Sequence, residues 1–217
     1  MICGRQSRYS AGGRMTYRGV AQDFRARSET RWLASIGWED RRSVEQVAFH
    51  ESGHAVMTLL VGRRLKEVAV TSPRSGNTRE ERSGPPVWLS AQGERKDPHV
   101  IRRLLDTIRI LLAGPIADQE YSRARDLFEA GGSADLDKVA ALLTYMEAAL
   151  SHNAIHYQSL VDDVSDYLMS PNVWHYVTIL AEALTRTPIM SGSEVVSLLA
   201  GAGKGRNQLS LFPDLCA

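Results

Sequence analysis

The stretch Ser43 to Gly62 reads SVEQVAFHESGHAVMTLLVG, and the way its residues recur decides most of what the chain can be. Ser43 followed by Gln46 is a capping box, in which the serine hydroxyl accepts the Gln46 amide and the glutamine side chain returns a bond to the serine amide. Val44, Val47, Ala48, Ala55 and Leu59 then form an apolar stripe at helical spacing, and Gly62 can take the left-handed conformation after the last turn. One amphipathic helix is expected. Inside it lie His50, Glu51, Ser52, Gly53 and His54. Histidines four apart project from one helical face a turn apart, so their ring nitrogens can meet on a single ion. Glu51 stands next to that face, where a carboxylate reaches a water on the metal rather than the metal itself, as a general base must. Zinc lowers the pKa of its water to about 7. The predicted chemistry is hydrolysis of a peptide carbonyl polarised by the same zinc. Two histidines and a glutamate would be costly to bury in so apolar a helix without a shared task. Gly53 costs roughly 1 kcal/mol relative to alanine in a helix interior, which predicts that something packs closely there.

A catalytic zinc takes three protein ligands plus water, so a third must come from elsewhere in the chain. Leu60 occupies the tenth position after His50, where the metzincin pattern would place a third histidine, and that pattern fails. Glu67, Glu80 and Glu81 fall in or beside the irregular stretch that follows the helix and are poor candidates. Further on, Gly131-Gly132-Ser133-Ala134-Asp135-Leu136 leads into a helix with a core face of Leu136, Val139, Ala140, Leu143 and Leu150, and Ser133 is a natural N-cap. Asp135 then lies in a first helical turn, where exposed amides and the dipole favour the ionised carboxylate that a cation binds. Ordinary helix-start acids share that position, so position alone leaves its role open.

The remaining chain reads as scaffold. Helical periodicity runs from Ser43 to about residue 200 with one interruption, Gly62 to Asp97, in which Val68-Ala69-Val70-Thr71 and Val87-Trp88-Leu89-Ser90 read as short strands around a polar loop. The expected fold class is mainly α with a small β-sheet. Asp97 caps a helix opening with Pro98, whose face of Ile101, Leu104, Leu105, Ile108, Leu111 and Leu112 is buried and which ends at Gly114-Pro115. Ser170-Pro171 opens a later helix in the same way. His152 and His156 also stand four apart, without a carboxylate between them, and read as surface residues.

At 217 residues the chain fits one main domain, expected over 41–200, behind an Arg-rich arm at 1–40 and ahead of a flexible tail at 201–217. A net charge of +1 excludes a global field for nucleic acid. The longest apolar stretch, Ile108 to Ala117 with Arg109 interrupting it, falls well short of the ~20 residues that a spanning helix needs. Cys3 and Cys216, at opposite ends, could not staple a core, which fits a reducing cytoplasm. An organellar address is the alternative, since the arm is rich in Arg and Ser and poor in acids.

Val47 to Gly62, Leu111-Leu112-Ala113-Gly114-Pro115-Ile116-Ala117-Asp118 and Gly132-Ser133-Ala134-Asp135-Leu136 occur in the order and approximate spacing of the protease domain of FtsH-type ATP-dependent zinc proteases. The chain resembles that family over roughly residues 44–200, and Ser191-Gly192-Ser193-Glu194-Val195 resembles the family's ending. The resemblance implies zinc held by His50, His54 and Asp135, with Glu51 catalytic. It also makes Asp118 the rival third ligand, because the family's Gly-Arg-Ala-Ala-Glu-like segment appears as Gly114-Pro115-Ile116-Ala117-Asp118. An edge strand that holds extended substrate is a further implication, with Trp88 as a specificity contact or a structural aromatic. FtsH-type proteins carry membrane helices and an ATPase module ahead of this domain, and this chain has room for neither, so ATP-independent endopeptidase activity on flexible or unfolded segments is expected. A zinc-containing binding protein that no longer cleaves is the competing class, and the intact Glu51 argues against it.

Gly201-Ala202-Gly203-Lys204-Gly205 lacks the spacing of a phosphate loop and reads as a linker. Behind it, Gln208-Leu209-Ser210-Leu211-Phe212 resembles the short peptide by which bacterial proteins dock on the DNA sliding clamp. Leu209, Leu211 and Phe212 would be its apolar anchors and Gln208 would fix its register.

Overall fold

The computed structural model describes residues 42–72, 75–81, 98–124, 127, 132–150 and 156–203. The arm before Arg42, the Val87–Ser90 strand with Trp88, the Asp97 cap, His152 and the Gln208–Phe212 peptide lie outside the described residues. The elements are α1 (Val44–Leu60), β1 (Leu65–Ser72), β2 (Ser75–Glu80), α2 (Pro98–Ser122), α3 (Ser133–Leu150), α4 (Tyr157–Leu168), α5 (Pro171–Arg186), β3 (Ile189–Ser191) and α6 (Gly192–Gly203). The fold is mostly helical with one small antiparallel sheet of order β2-β1-β3, as the sequence predicts.

α1 is the centre. The Ser43 hydroxyl accepts the Gln46 amide at 3.1 Å, so the helix starts where expected. The Gln46 side chain does not return the bond, however; it donates to Asp118 at 2.8 Å. At the far end Gly62 stands at φ 75°, while its amide and that of Arg63 bond back to the carbonyls of Leu59 and Thr58. This is a Schellman closure, and only a residue without Cβ takes that φ without strain. From His50 to Leu59 every residue of α1 is buried, because α2 and α5 pack against it and β1 and β2 cover another side. Burying side chains such as Val56, Met57 and Leu59, each at most 3% exposed, stabilises the fold by roughly 1.5–3 kcal/mol apiece.

Five elements differ from the sequence reading. α2 does not stop at Gly114-Pro115 but carries on through Pro115 to Ser122. Proline forgoes one backbone hydrogen bond there, and the burial of Ile116, Ala117 and Asp118 beyond it offsets the loss. β2 lies inside the segment expected to be a polar loop; it pairs with β1 from Ser72↔Ser75 to Leu65↔Glu80. β3 lies beside β1 on the other edge, at Glu67–Ala69. Ser133 is the first residue of α3 rather than its cap, since the Gly132 carbonyl takes the amides of Asp135 and Leu136. Gly201 to Gly203 form the last turn of α6, not the start of a linker. No described helix is long and apolar enough to cross a membrane.

The expected close packing at Gly53 is present. A Cβ there would lie 2.4 Å from the Ala113 carbonyl oxygen and 2.8 Å from the Ala117 Cβ. Gly53→Ala should therefore lower the unfolding free energy by about 1–3 kcal/mol through overpacking, although alanine favours a solvent-facing helix. Chemical denaturation measures this, and a gain in stability would mean that α1 and α2 do not meet as described.

Candidate metal centre

His50 and His54 leave α1 on one face, one turn apart, and Asp135 arrives from the first turn of α3. The Nε2 atoms of the histidines are 3.0 Å apart, and Asp135 Oδ2 is 3.1 Å from His50 Nε2 and 3.2 Å from His54 Nε2. Among the described residues, no other trio of His, Cys, Asp or Glu converges in this way. Tetrahedral zinc with bonds of about 2.0–2.1 Å needs ligand atoms roughly 3.3 Å apart. The triangle is within a few tenths of an ångström of that.

Hydrogen bonding on the far side of the ring sets the lone pair of His54. His54 Nδ1 is 2.7 Å from the Ile110 carbonyl oxygen, which can only accept, so Nδ1 carries the proton and Nε2 presents a lone pair. His50 Nδ1 faces an Asp118 carboxylate oxygen at 3.6 Å, beyond hydrogen-bond length, so this contact does not fix the His50 tautomer. Arg42 lies 3.4 Å from His50 Nδ1 and directs a short ion pair onto Asp118. The His54 lone pair, His50 Nε2 and a carboxylate oxygen therefore point at one another, an arrangement that positive charge among them makes favourable. Titration expresses the same demand. Burial pulls the His50 imidazole down, but the carboxylates of Asp118 and Asp135 and the charge of Glu51 outweigh it, and the group is pushed up to about 9. For Asp135, burial acts to raise the pKa, yet the two histidines hold it well below the usual carboxylate range.

Each ligand has its own support. Lys138, one turn beyond Asp135, bonds its other oxygen Oδ1 at 2.9 Å, which leaves Oδ2 as the atom facing the histidines. A Cβ at Gly114 would sit 2.3 Å from His54 Nε2, so the glycine is what lets the ring close onto α2. Pro115 in turn packs against Gly132, where a Cβ would lie 2.6 Å away, and this seats the start of α3 beside the site. Asp118, the rival ligand, is fully buried. Its oxygens are held by Arg42 and Gln46, behind His50 rather than within the triangle. Glu51 is buried next to the cluster and lines the same cleft of about 360 Å³, together with Ser75, Gly76, Asn77, Thr78 and Lys138.

His50, Glu51, His54 and Asp135 thus come together where the sequence places them. Arg42, Gly114, Lys138, Gly76 and Thr78 were not read as site residues. Lys138 was the legible one, since a lysine three residues after a helix-start aspartate can reach its carboxylate. Glu80, discounted as a ligand, pairs with Arg63 at 3.1 Å. His156 is exposed just ahead of α4.

A family model described as Peptidase M50B-like matches residues 42–93, a span that holds α1, β1 and β2 with His50, Glu51 and His54. No curated protein matches the chain. Over that span the chain is similar to a metallopeptidase family, and the His50–His54–Asp135 group fits a metallopeptidase. The matching model is M50B-like rather than FtsH-type, so the likeness to FtsH-type domains rests on the motifs alone.

Purified protein should bind about one zinc per chain. Asp135→Ala should lose most of it, whereas Asp118→Asn should keep the stoichiometry with affinity weaker by about 10- to 100-fold. Elemental analysis and competition with a chelating dye measure both, and the reverse pattern would transfer the ligand role to Asp118.

Proposed function

We propose that the protein is a zinc-dependent endopeptidase of the FtsH protease-domain kind, cutting flexible or unfolded protein segments without ATP. The observation that carries this reading is the meeting of three atoms able to ligate a metal with a further acid, Glu51, in one cleft. His50, His54 and Asp135 would hold the ion. Bound there, zinc supplies a Lewis acid that polarises a carbonyl and acidifies a water.

The chain's own groups supply the rest. Glu51 accepts a proton from the attacking water and returns it to the departing amine, so that a C–O bond forms as the C–N bond breaks and the proton count closes. A ligand set of two neutral imidazoles and one carboxylate leaves the ion with net positive charge for a developing oxyanion. Among the described residues β2 is an edge of the three-stranded sheet, and its residues Ser75 to Thr78 line the cleft. An extended peptide can add to such an edge through backbone hydrogen bonds, a mode that demands unfolded chain and reads little sequence. The cleft admits a few residues of extended chain, not a folded surface. A cytoplasmic setting, and tethering to a sliding clamp through Gln208, Leu209, Leu211 and Phe212, are further parts of the proposal that rest on sequence pattern only.

Glu51→Gln should keep its zinc and its unfolding midpoint while losing peptide hydrolysis by at least about 100-fold, because an amide cannot accept the water's proton. Cleavage of unfolded casein, with and without a chelator and with and without ATP, is the assay. Chelation should abolish cleavage and ATP should leave it unchanged; undiminished cleavage by Glu51→Gln would place the activity elsewhere.

A further inference from the structure

β2 carries no large apolar side chain, yet it packs against the most buried helix of the fold. Its residues alternate, with Ser75, Asn77 and Arg79 exposed and Gly76, Thr78 and Glu80 half-buried. The inner face meets the site instead of the core. Thr78 Oγ1 lies 2.7 Å from Glu51 Oε2 and 3.1 Å from the Glu51 carbonyl oxygen. A hydroxyl has one proton to donate, and the shorter, charge-assisted bond to the carboxylate takes it. Two residues away, a Cβ on Gly76 would fall 2.4 Å from Glu51 Oε1 and 2.4 Å from Glu51 Cγ. One carboxylate oxygen is therefore tied to a hydroxyl, while the other lies against bare backbone.

We propose that Thr78 and Gly76 are the positioning residues of Glu51, Thr78 by fixing one carboxylate oxygen and Gly76 by leaving the space in which the carboxylate sits. The proposal rests on the reading of Glu51 as the base. Its consequence is that one strand performs two tasks: the edge offered to an extended peptide also sets where the proton acceptor stands. Substrate register and base position are then fixed to each other by a single element, and a displacement of about 1 Å in either is enough to cost a large factor in rate.

The two residues act differently, which allows a test that separates positioning from general destabilisation. Thr78→Val keeps the shape and removes the donor, Thr78→Ser keeps the donor, and Gly76→Ala keeps the hydroxyl but displaces the carboxylate. The clash at Gly76 is with a flexible side chain, so Gly76→Ala should unfold close to the wild-type midpoint. In the zinc-loaded full chain, Thr78→Val and Gly76→Ala should lower kcat by about 10- to 100-fold, with KM and zinc content unchanged, and Thr78→Ser should retain most of kcat. Neither variant should lower the residual rate of Glu51→Gln any further. A second readout needs no turnover. The visible absorption bands of the Co(II)-loaded protein, which report on the ion's surroundings, should shift in Thr78→Val as they do in Glu51→Gln and stay in place in Thr78→Ser. Wild-type kcat in Thr78→Val, equal losses in Thr78→Val and Thr78→Ser, or Co(II) bands that Thr78→Val leaves unmoved would each overturn the positioning role. Bands that shift in Thr78→Val while the wild-type protein cleaves no peptide would instead overturn the peptidase reading and leave the positioning of Glu51 standing.

Discussion

Two imidazole nitrogens and a carboxylate oxygen, 3.0–3.2 Å apart in a largely buried cleft, call for positive charge among them, from a proton on His50 or from a metal ion that all three can bind. A fold does not assemble such a cluster by accident of packing, because each group would gain more by facing water or a hydrogen-bond donor. The Ile110 carbonyl behind His54 makes the matter sharper, since it removes the tautomer in which His54 could donate to its neighbours. The surroundings of the cluster follow from holding those three atoms in place.

α1 supplies two of them and cannot move, being buried on all sides over its second half. α2 works along its length at separate points. Ile110 fixes one ring, Gly114 lets that ring approach, Pro115 receives the start of α3, and Asp118 stands behind the other ring with Arg42 as its counter-charge. A carboxylate with no solvent exposure needs such a partner, and Arg42, supported by Gln46, supplies it behind His50. The proline that looks like a helix terminator is thus part of the scaffolding of the His50–His54–Asp135 cluster.

What the sequence made legible is what local rules govern. The Ser43 cap, the Gly62 exit, the spacing of His50 and His54, the tight contact at Gly53 and the helix-start position of Asp135 all follow from the backbone geometry of one helix at a time. The features that escaped depend on what lies across the fold. β2, SGNTRE, has no apolar alternation because its inner face rests on Glu51 rather than on a hydrophobic core, so the usual strand signal is missing for a functional reason. α2 outruns Pro115 because tertiary burial beyond it outweighs one lost hydrogen bond. The Gln46 side chain turns to Asp118 because a buried carboxylate needs donors, whereas the solvent-facing Ser43 amide can be satisfied by water. Asp118 and Asp135 were both plausible ligands from motif position; only their neighbours in space, Arg42 and Gln46 for one and Lys138 for the other, tell them apart.

Diffraction from a crystal of the zinc-loaded protein, recorded at the zinc absorption edge, bears most directly on whether this cluster is a metal site. One strong anomalous peak is expected about 2.0–2.2 Å from His50 Nε2, His54 Nε2 and Asp135 Oδ2 alike. A peak bound by Asp118 in place of Asp135, or the three side chains left close together with the zinc bound at some other place, would contradict it.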